Sequence, residues 1–224
     1  MSAQVAPPVP VVGLGAGGHA KVVIEILRAV GGYELIGLLD PRQELWGSNL
    51  LGVPVLGDDA LLSDQYDTGM RHAFIGLGSG QDTRPRQRLY EHAVAAGFTV
   101  VTAVHPGASV SSSVVAGRGL TVMAGAVINA DCRLGDNVVV NSGAVVEHDC
   151  VLGAHVHVAS GARLAGGVDL GAGAHVGLGA SVNQRIRIGA GAVVGSGAVV
   201  VRDVDPGVVV VGVPARVLRS VEGS

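Results

Sequence analysis

The feature that most constrains this chain is a six-residue repeat that runs without interruption through its C-terminal half. Every sixth residue from Val104 to Val200 is Val, Ile or Leu, and Ala116 is the one exception among the seventeen positions. Six-residue repetition is typical of a parallel β-helix, in which each repeat forms one short strand and one corner. Three sides then close a coil of eighteen residues, so residues eighteen apart lie on adjacent coils, about 4.8 Å apart. The sequence therefore predicts an all-β prism with the periodic aliphatic residues pointing inward.

Glycine and asparagine often follow the periodic aliphatic residue directly, as at Gly135, Asn141 and Gly153. Both residue types tolerate the positive φ of a tight corner, so we expect the corners at these positions. The chain contains 36 glycines, which would suggest disorder, but 48% of its residues are hydrophobic. A β-sandwich would show period two and loops of variable length, and neither is present.

The first half of the chain follows a different pattern, in which strand and helix signals alternate. Apolar runs bounded by turn residues predict strands, and helical spacing of apolar residues predicts helices. The predicted order is a strand at Val9–Leu14, a helix at 19–30, a strand at 35–39, a strand at 73–77 and a helix near 86–96. We therefore predict a small Rossmann-like α/β domain over residues 1–102, followed by the β-helix and a C-terminal tail over 103–224.

The charge and the cysteines exclude several classes of function. The formal net charge is -3, so the chain lacks the basic field that binds nucleic acid or an anionic membrane. It has no apolar stretch of transmembrane length and no secretory signal pattern at its N-terminus. Its two cysteines, Cys132 and Cys150, are eighteen residues apart and are too few for a disulfide framework. We expect both to be reduced and the protein to be cytoplasmic.

Five segments of the chain resemble one known family. The segments are Gly15–Lys21, Gly52–Gly57, Val104–Pro106, Glu147–Cys150 and Gly212–Arg216. Together they resemble the nucleotide-sugar acyltransferases related to PglD, PerB and the sialic-acid acetyltransferase NeuD. The resemblance covers nearly the whole chain and implies a left-handed coil for the prism. It also implies a homotrimer with active sites between subunits, and acetyl-CoA as the co-substrate in the groove between neighbouring prisms. The expected reaction is direct transfer of acetyl to the nitrogen of a nucleotide-linked sugar of the 4-amino-4,6-dideoxy type, without a metal.

The N-terminal domain carries the candidate site for the sugar nucleotide. Gly13, Gly15 and Gly18 match a dinucleotide fingerprint between a strand and a helix, where backbone N–H groups favour a phosphate. Taken alone, this motif would suggest NAD. The resemblance instead implies contacts to the sugar nucleotide from Gly17, Gly18 and His19, to the nucleoside from Asp40, and closure of the pocket by Gly78.

The candidate catalytic group is His148, with Asp149 and Gly166. His148 lies two places after the inward Val146, so it should point out of the prism, and a histidine titrates in the range that suits a general base. Asp149 could accept a hydrogen bond from the imidazole, with Glu147 as the competing partner. Gly166 lies eighteen residues on and could present its N–H to the developing oxyanion, a contribution of about 3 kcal/mol.

The resemblance also assigns residues to the acyl donor. It implies that His157, Leu178 and Ser196, together with Gly166, bind acetyl-CoA and that Asn141 lies near the acceptor sugar. His157 and His175 are eighteen apart and should stack. Several histidines on a prism are also found in the zinc site of γ-class carbonic anhydrases, but the spacing here shows no convergent set of three ligands. We therefore expect no metal.

Three other functions stay open at this stage. O-acetylation of a sugar such as sialic acid would use the same base and donor. A non-catalytic trimer could act as a scaffold or a nucleotide-sugar sensor, although the register of His148, Asp149 and Gly166 argues against it. NAD-dependent redox chemistry would require the glycine loop to bind nicotinamide.

Overall fold

The computed structural model describes residues 7–221 and divides into two compact units. The first unit comprises Met1–Gly78 and Arg88–Pro106, and the second comprises Ser79–Gln87 and Gly107–Ser224. The short segment Ser79–Gln87 thus groups with the prism, although it lies in the N-terminal half of the chain. None of the helices in the described part of the chain is long and apolar enough to cross a membrane.

The first unit is built on one small, mostly parallel sheet. The strands of this sheet are β1 (Val9–Leu14), β2 (Tyr33–Leu39), β3 (Asn49–Leu50), β4 (Val53–Gly57), β5 (His72–Ile75) and β6 (Thr99–Val100). The helices are α1 (Gly18–Val30), α2 (Leu62–Asp67) and α3 (Arg84–Ala95), with single 3-10 turns at Gln43–Leu45 and Asp59–Leu61, and the first residues of α3 belong to the second unit. A further short strand, β7 (Ala103–Val104), follows β6 and is not part of this sheet. The strand order is β3-β4-β2-β1-β5-β6, and only β3 and β4 are antiparallel. This arrangement confirms the predicted parallel sheet.

The boundaries in the first unit differ slightly from the predicted ones. The strand expected at 73–77 runs from His72 to Ile75. The next residue, Gly76, still donates its N–H to the Leu14 carbonyl of β1 over 2.7 Å. Helix α1 buries Val23, Ile26 and Leu27, as its apolar spacing predicts, but Val30, which has the same spacing, is 50% exposed at the helix end.

The second unit is a three-sided prism of two-residue parallel strands. Face 1 contains β10 (Thr121–Val122), β13 (Val139–Val140), β16 (His157–Val158), β19 (His175–Val176) and β22 (Val193–Val194). Face 2 contains β8 (Ser109–Val110), β11 (Val127–Ile128), β14 (Val145–Val146), β17 (Arg163–Leu164), β20 (Ser181–Val182) and β23 (Val199–Val200). Face 3 contains β9 (Val115–Ala116), β12 (Arg133–Leu134), β15 (Val151–Leu152), β18 (Asp169–Leu170) and β21 (Arg187–Ile188).

The register of the prism confirms the eighteen-residue coil. Val127 pairs with Val145, and Val145 pairs with Arg163, in parallel and without a shift. The eighteen-residue spacing between paired residues changes only at the C-terminal end of the prism. There Val209 of β24 (Val208–Val211) pairs with Val193, sixteen residues earlier. An antiparallel partner, β25 (Arg216–Ser220), then closes this edge.

The periodic aliphatic residues form the core of the prism, as predicted. From Val122 to Val200 each of them is at most 4% exposed. In the first coil Val110 is 40% exposed. This position lies at the open end of face 2, where no earlier coil covers it.

The predicted location of the corner conformation is wrong. The positive φ falls three residues after the inward residue, as at Gly125 (69°) and Asp131 (59°), and not directly after it. The glycines that follow the inward residue serve a different purpose. A Cβ atom at Gly135 would lie 2.5 Å from the Ala154 nitrogen on the next coil, so these positions are small because two backbones approach closely.

Segment Ser79–Gln87 packs on face 1. The Thr83 hydroxyl donates to the Gly173 carbonyl over 2.8 Å, and an Arg86 Nη2 lies 3.3 Å from the Thr121 hydroxyl. Arg86 is fully buried, and burial lowers the pKa of its guanidinium to about 9. The sequence carries no repeat signal that predicts this packing.

Candidate active site

His148 lies at the corner between β14 on face 2 and β15 on face 3. Its Nδ1 is 2.7 Å from Asp149 Oδ2, and both side chains are more than half exposed. Asp149 occupies the positive-φ corner position with φ 61°, so the backbone turn directs its carboxylate back to the ring of its neighbour. Because a carboxylate can only accept, Nδ1 is the donor in this contact, and in the neutral ring Nε2 is then the nitrogen that can accept a proton. This is the tautomer that a general base needs.

Gly166 lies directly against the His148 ring. A Cβ atom at Gly166 would be 2.6 Å from His148 Cε1 and 2.7 Å from Nε2, so a side chain there would displace the imidazole. The competing partner, Glu147, accepts a hydrogen bond from Asn129 Nδ2 over 2.8 Å. Glu147 is therefore held by the preceding coil, and Asp149 is the residue that orients His148.

A second group of predicted residues surrounds a cavity of about 260 Å³ in the prism unit. His157, Leu178 and Ser196, predicted to bind acetyl-CoA, line it together with Asn141, which was predicted to lie near the acceptor sugar. Gly166, the fourth residue predicted to bind acetyl-CoA, does not line this cavity. Sequence reasoning missed the remaining lining residues, which are Ser79, Gly80, Gln81, Ala159 and His175. Of these five, only His175 could have been predicted from the sequence, because it lies eighteen residues after His157 and therefore on the adjacent coil.

His157 and His175 stack as their spacing predicts. They pair in register on β16 and β19, and their rings meet edge to face with centroids 5.1 Å apart. Both side chains are buried, and desolvation lowers the pKa of His175 to about 4, so its imidazole is neutral near pH 7. Asn141 Nδ2 lies 3.4 Å from His157 Nε2.

The two groups of residues lie at different corners of the prism. His148 is between faces 2 and 3, whereas Leu178 is between β19 on face 1 and β20 on face 2. One chain therefore brings His148, Asp149 and Gly166 together at one corner and brings the residues around the His157 cavity together elsewhere, but it does not join the two sets.

In the first unit the glycine loop lies where the strand order reverses. The loop follows β1, which has β2 on one side and β5 on the other, and ligands of such sheets bind at this point. Gly15 turns the chain with φ 102°. Helix α1 then begins at Gly18 without a side-chain cap, so its first N–H groups face the loop. A Cβ atom at Gly78 would lie 3.3 Å from His19 Cβ, so these two predicted contacts are neighbours.

Asp40 is hydrogen-bonded to the glycine loop and to Arg42. It accepts hydrogen bonds from the Ala16 N–H over 2.7 Å and from Arg42 Nε and Nη2 over 2.8 and 2.9 Å. The Arg42 guanidinium, more than any other group, lowers the pKa of Asp40 to about 2. Its role as a nucleoside contact stays a prediction. Sequence reasoning missed Arg42, whose Nη2 is 3.9 Å from a Cβ placed on Gly17.

Both cysteines are free and buried, as expected. The Cys132 thiol donates to the Glu147 carbonyl over 3.0 Å, and burial raises the pKa of Cys150 to about 12. Across residues 7–221, no cluster of three or more His, Cys, Asp or Glu side chains has the arrangement of a metal site.

Comparison with family models matches both halves of the chain. Residues 11–93 match the PglD N-terminal domain, and residues 131–166 match the bacterial transferase hexapeptide model of six repeats. No curated protein sequence matches the chain significantly.

Solved structures match over almost the whole chain. PerB from Caulobacter crescentus, in complex with CoA and GDP-perosamine, is 45% identical with a TM-score of 0.86, and the match covers 97% of this chain and 99% of that one. The acetyltransferase domain of PglB from Neisseria gonorrhoeae, in complex with acetyl coenzyme A, is 39% identical with a TM-score of 0.86, covering 94% and 100%. WeeI from Acinetobacter baumannii is 28% identical with a TM-score of 0.83, covering 94% and 100%.

These matches confirm the predicted fold class, a Rossmann-like α/β domain followed by a left-handed parallel β-helix. They extend over both halves at once, so the likeness is not confined to the repeat. The chain belongs to the PglD- and PerB-like family of hexapeptide-repeat nucleotide-sugar N-acetyltransferases.

Proposed function

We propose that this protein transfers the acetyl group of acetyl-CoA to the amine of a nucleotide-linked 4-amino-4,6-dideoxy sugar, with His148 as the general base. The observation that carries the proposal is the contact of one imidazole with Asp149 on one side and Gly166 on the other. The complex of PerB with CoA and GDP-perosamine supports the choice of substrates.

The proposed chemistry needs only groups that the corner supplies. The sugar amine attacks the thioester carbonyl, a C–N bond forms, and Nε2 of His148 accepts the proton that the nitrogen loses. Asp149 stabilises the resulting imidazolium, and collapse of the intermediate breaks the C–S bond, with the proton passing to the leaving thiolate. Within residues 7–221 the Gly166 N–H has no acceptor, so it is available to the oxyanion.

A complete active site requires two copies of the chain. The base lies at one corner of the prism and the donor-site residues at another, which supports the proposed homotrimer with sites between subunits. The base corner of one subunit would then face the His157 cavity of its neighbour.

The sugar nucleotide is assigned to the first unit. Gly17, Gly18 and His19 would contact it at the start of α1, and Gly78 would close the pocket. A cytoplasmic location is part of the same proposal, supported by the two free thiols.

The test is acetyl transfer to UDP- and GDP-linked 4-amino sugars, with free sialic acid as the competing acceptor. Replacing His148 with Ala should lower kcat roughly 10²- to 10⁴-fold, with little change in the KM for acetyl-CoA. Asp149→Asn should give a smaller loss, because the ring remains but its tautomer is no longer set. Unchanged turnover in His148→Ala would contradict the mechanism. Transfer to sialic acid alone would instead establish an O-acetyltransferase.

A further inference from the structure

Two buried polar atoms beside the His157 cavity have no hydrogen-bond partner among residues 7–221. They are the His175 Nδ1 and the Ser79 hydroxyl oxygen, and both residues line the cavity of about 260 Å³. The His175 side chain is only 6% exposed. Buried polar groups are nearly always paired, since an unpaired one costs stability. Two of them at one cavity indicate that a ligand supplies the partners.

The lining residues restrict the chemistry of that ligand. None of the nine residues around the cavity is Asp, Glu, Lys or Arg. Burial lowers the pKa of His175, so its ring adds no positive charge near pH 7. A phosphate or diphosphate would lack a countercharge here. The cavity therefore suits a neutral polar group.

The hydrogen-bonding capacity of the two residues matches an amide. A neutral imidazole offers one donor and one acceptor, and a hydroxyl offers both. An amide presents one N–H and one carbonyl, which these groups can satisfy together. The cavity is also below the roughly 300–1,000 Å³ that holds a whole ligand of drug size, so it has room for a small group or for one segment of a longer molecule.

We infer that His175 and Ser79 bind an amide of the pantetheine arm of acetyl-CoA, in the cavity that His157 also lines. This inference rests on the proposed function and adds two donor-site residues to it. Ser79 comes from the segment that packs on face 1, and His175 comes from the coil after His157.

The experiment measures CoA binding by titration calorimetry to the full chain and to His175→Phe and Ser79→Ala. Phe keeps an aromatic ring against His157 but removes both nitrogens. Each variant should bind CoA roughly three- to tenfold more weakly, as expected for the loss of one hydrogen bond. Adenosine 3′,5′-bisphosphate, the nucleotide portion of CoA, should bind to the variants as it does to the wild type.

Val193→Ala is the matched control, because Val193 pairs with His175 on the next strand of face 1 but does not line the cavity. It should leave CoA affinity unchanged. The free His175→Phe and Ser79→Ala proteins should melt at or above the wild-type Tm, since each loses an unpaired buried polar group. A purely structural role for His175 or Ser79 predicts a lower Tm instead.

The outcomes separate this inference from the proposed function. Wild-type affinity for CoA in both variants, or an equal loss in Val193→Ala, overturns the inference and leaves the proposed function standing. Equal weakening of adenosine 3′,5′-bisphosphate also overturns it. Failure of the wild-type protein to bind CoA overturns both.

Discussion

At the scale of single residues, the position of His148 depends on the absence of a side chain at Gly166. The imidazole lies where a Cβ would otherwise be, with 2.6 Å between that point and Cε1. The Nδ1 contact to Asp149 then holds the ring in this place. Both the packing of the His148 ring and its proposed catalytic role therefore require a glycine at position 166, on the adjacent coil.

We predict that Gly166→Ala lowers kcat by roughly one to two orders of magnitude, because the ring must move away from its productive position. The KM for the sugar nucleotide should change little. The measurement is a double-mutant cycle with His148→Ala, in which Gly166→Ala should have no further effect. Additive losses in the double variant would show that Gly166 acts independently of the ring.

A second residue-scale prediction concerns Asp40, whose pKa is lowered from 3.8 to about 2. A carboxyl with a lowered folded pKa adds stability that is present above pH 4 and is lost as the pH falls through 2. We expect Asp40→Asn to lose about 2 kcal/mol near neutral pH and to flatten the acid dependence between pH 4 and 2.

Trp46 can report this change, since it is the only tryptophan and its indole N–H donates to the Asp40 carbonyl over 2.8 Å. Urea unfolding followed by its fluorescence gives the free energy of unfolding of the first unit. Asp67→Asn, an exposed acid in the same unit, is the control and should leave the free energy unchanged. An acid dependence that persists in Asp40→Asn would rule out this carboxyl as its source.

At the scale of elements, two classes of glycine recur in each coil and tolerate substitution differently. Gly143 has φ 65° and open space around its Cβ position, whereas a Cβ at Gly153 would lie 2.6 Å from the Ala172 nitrogen. Other corners already carry Asn137 and Asp131 in the same conformation.

We predict that Gly153→Ala destabilises the protein by about 1–3 kcal/mol, because two coils must separate, while Gly143→Asn costs less than about 1 kcal/mol. Thermal melts of both variants at equal protein concentration provide the comparison. A larger loss in Gly143→Asn would mean that corner strain, and not coil spacing, limits substitution.

The elements that could be predicted from the sequence are those that depend only on nearby residues in the chain. The inward positions and the stacking of Cys132 on Cys150 follow from counting, since each coil repeats the same six-residue environment. The corner conformation did not follow, because glycine occurs both directly after the inward residue, as at Gly135, and three residues after it, as at Gly125. Counting alone does not show at which of the two positions the backbone turns and at which another backbone comes close. The packing of Ser79–Gln87 on face 1 depends on long-range contacts such as Thr83 with Gly173, for which no local pattern exists.

At the scale of the whole molecule, separation of the base and donor corners predicts complementation between inactive chains. His148→Ala and His157→Ala are each expected to be nearly inactive alone. If sites form between subunits as proposed, co-expression of the two variants should restore about a quarter of the sites, because each such site would take its base from one chain and its donor cavity from another. The measurement is acetyl transfer by the purified mixture, with its mass determined by light scattering. If activity stays at the level of the separate variants, each chain must build its own site.

The grouping of Ser79–Gln87 with the prism also bears on how such enzymes diversify. A recombination event that replaced residues 1–106 as one block would exchange the glycine loop and, with it, three of the residues that line the His157 cavity. A new acceptor preference gained in this way would arrive together with an altered donor cavity. The two specificities are therefore partly linked, although the other six residues that line the cavity lie outside the block and can change independently of it.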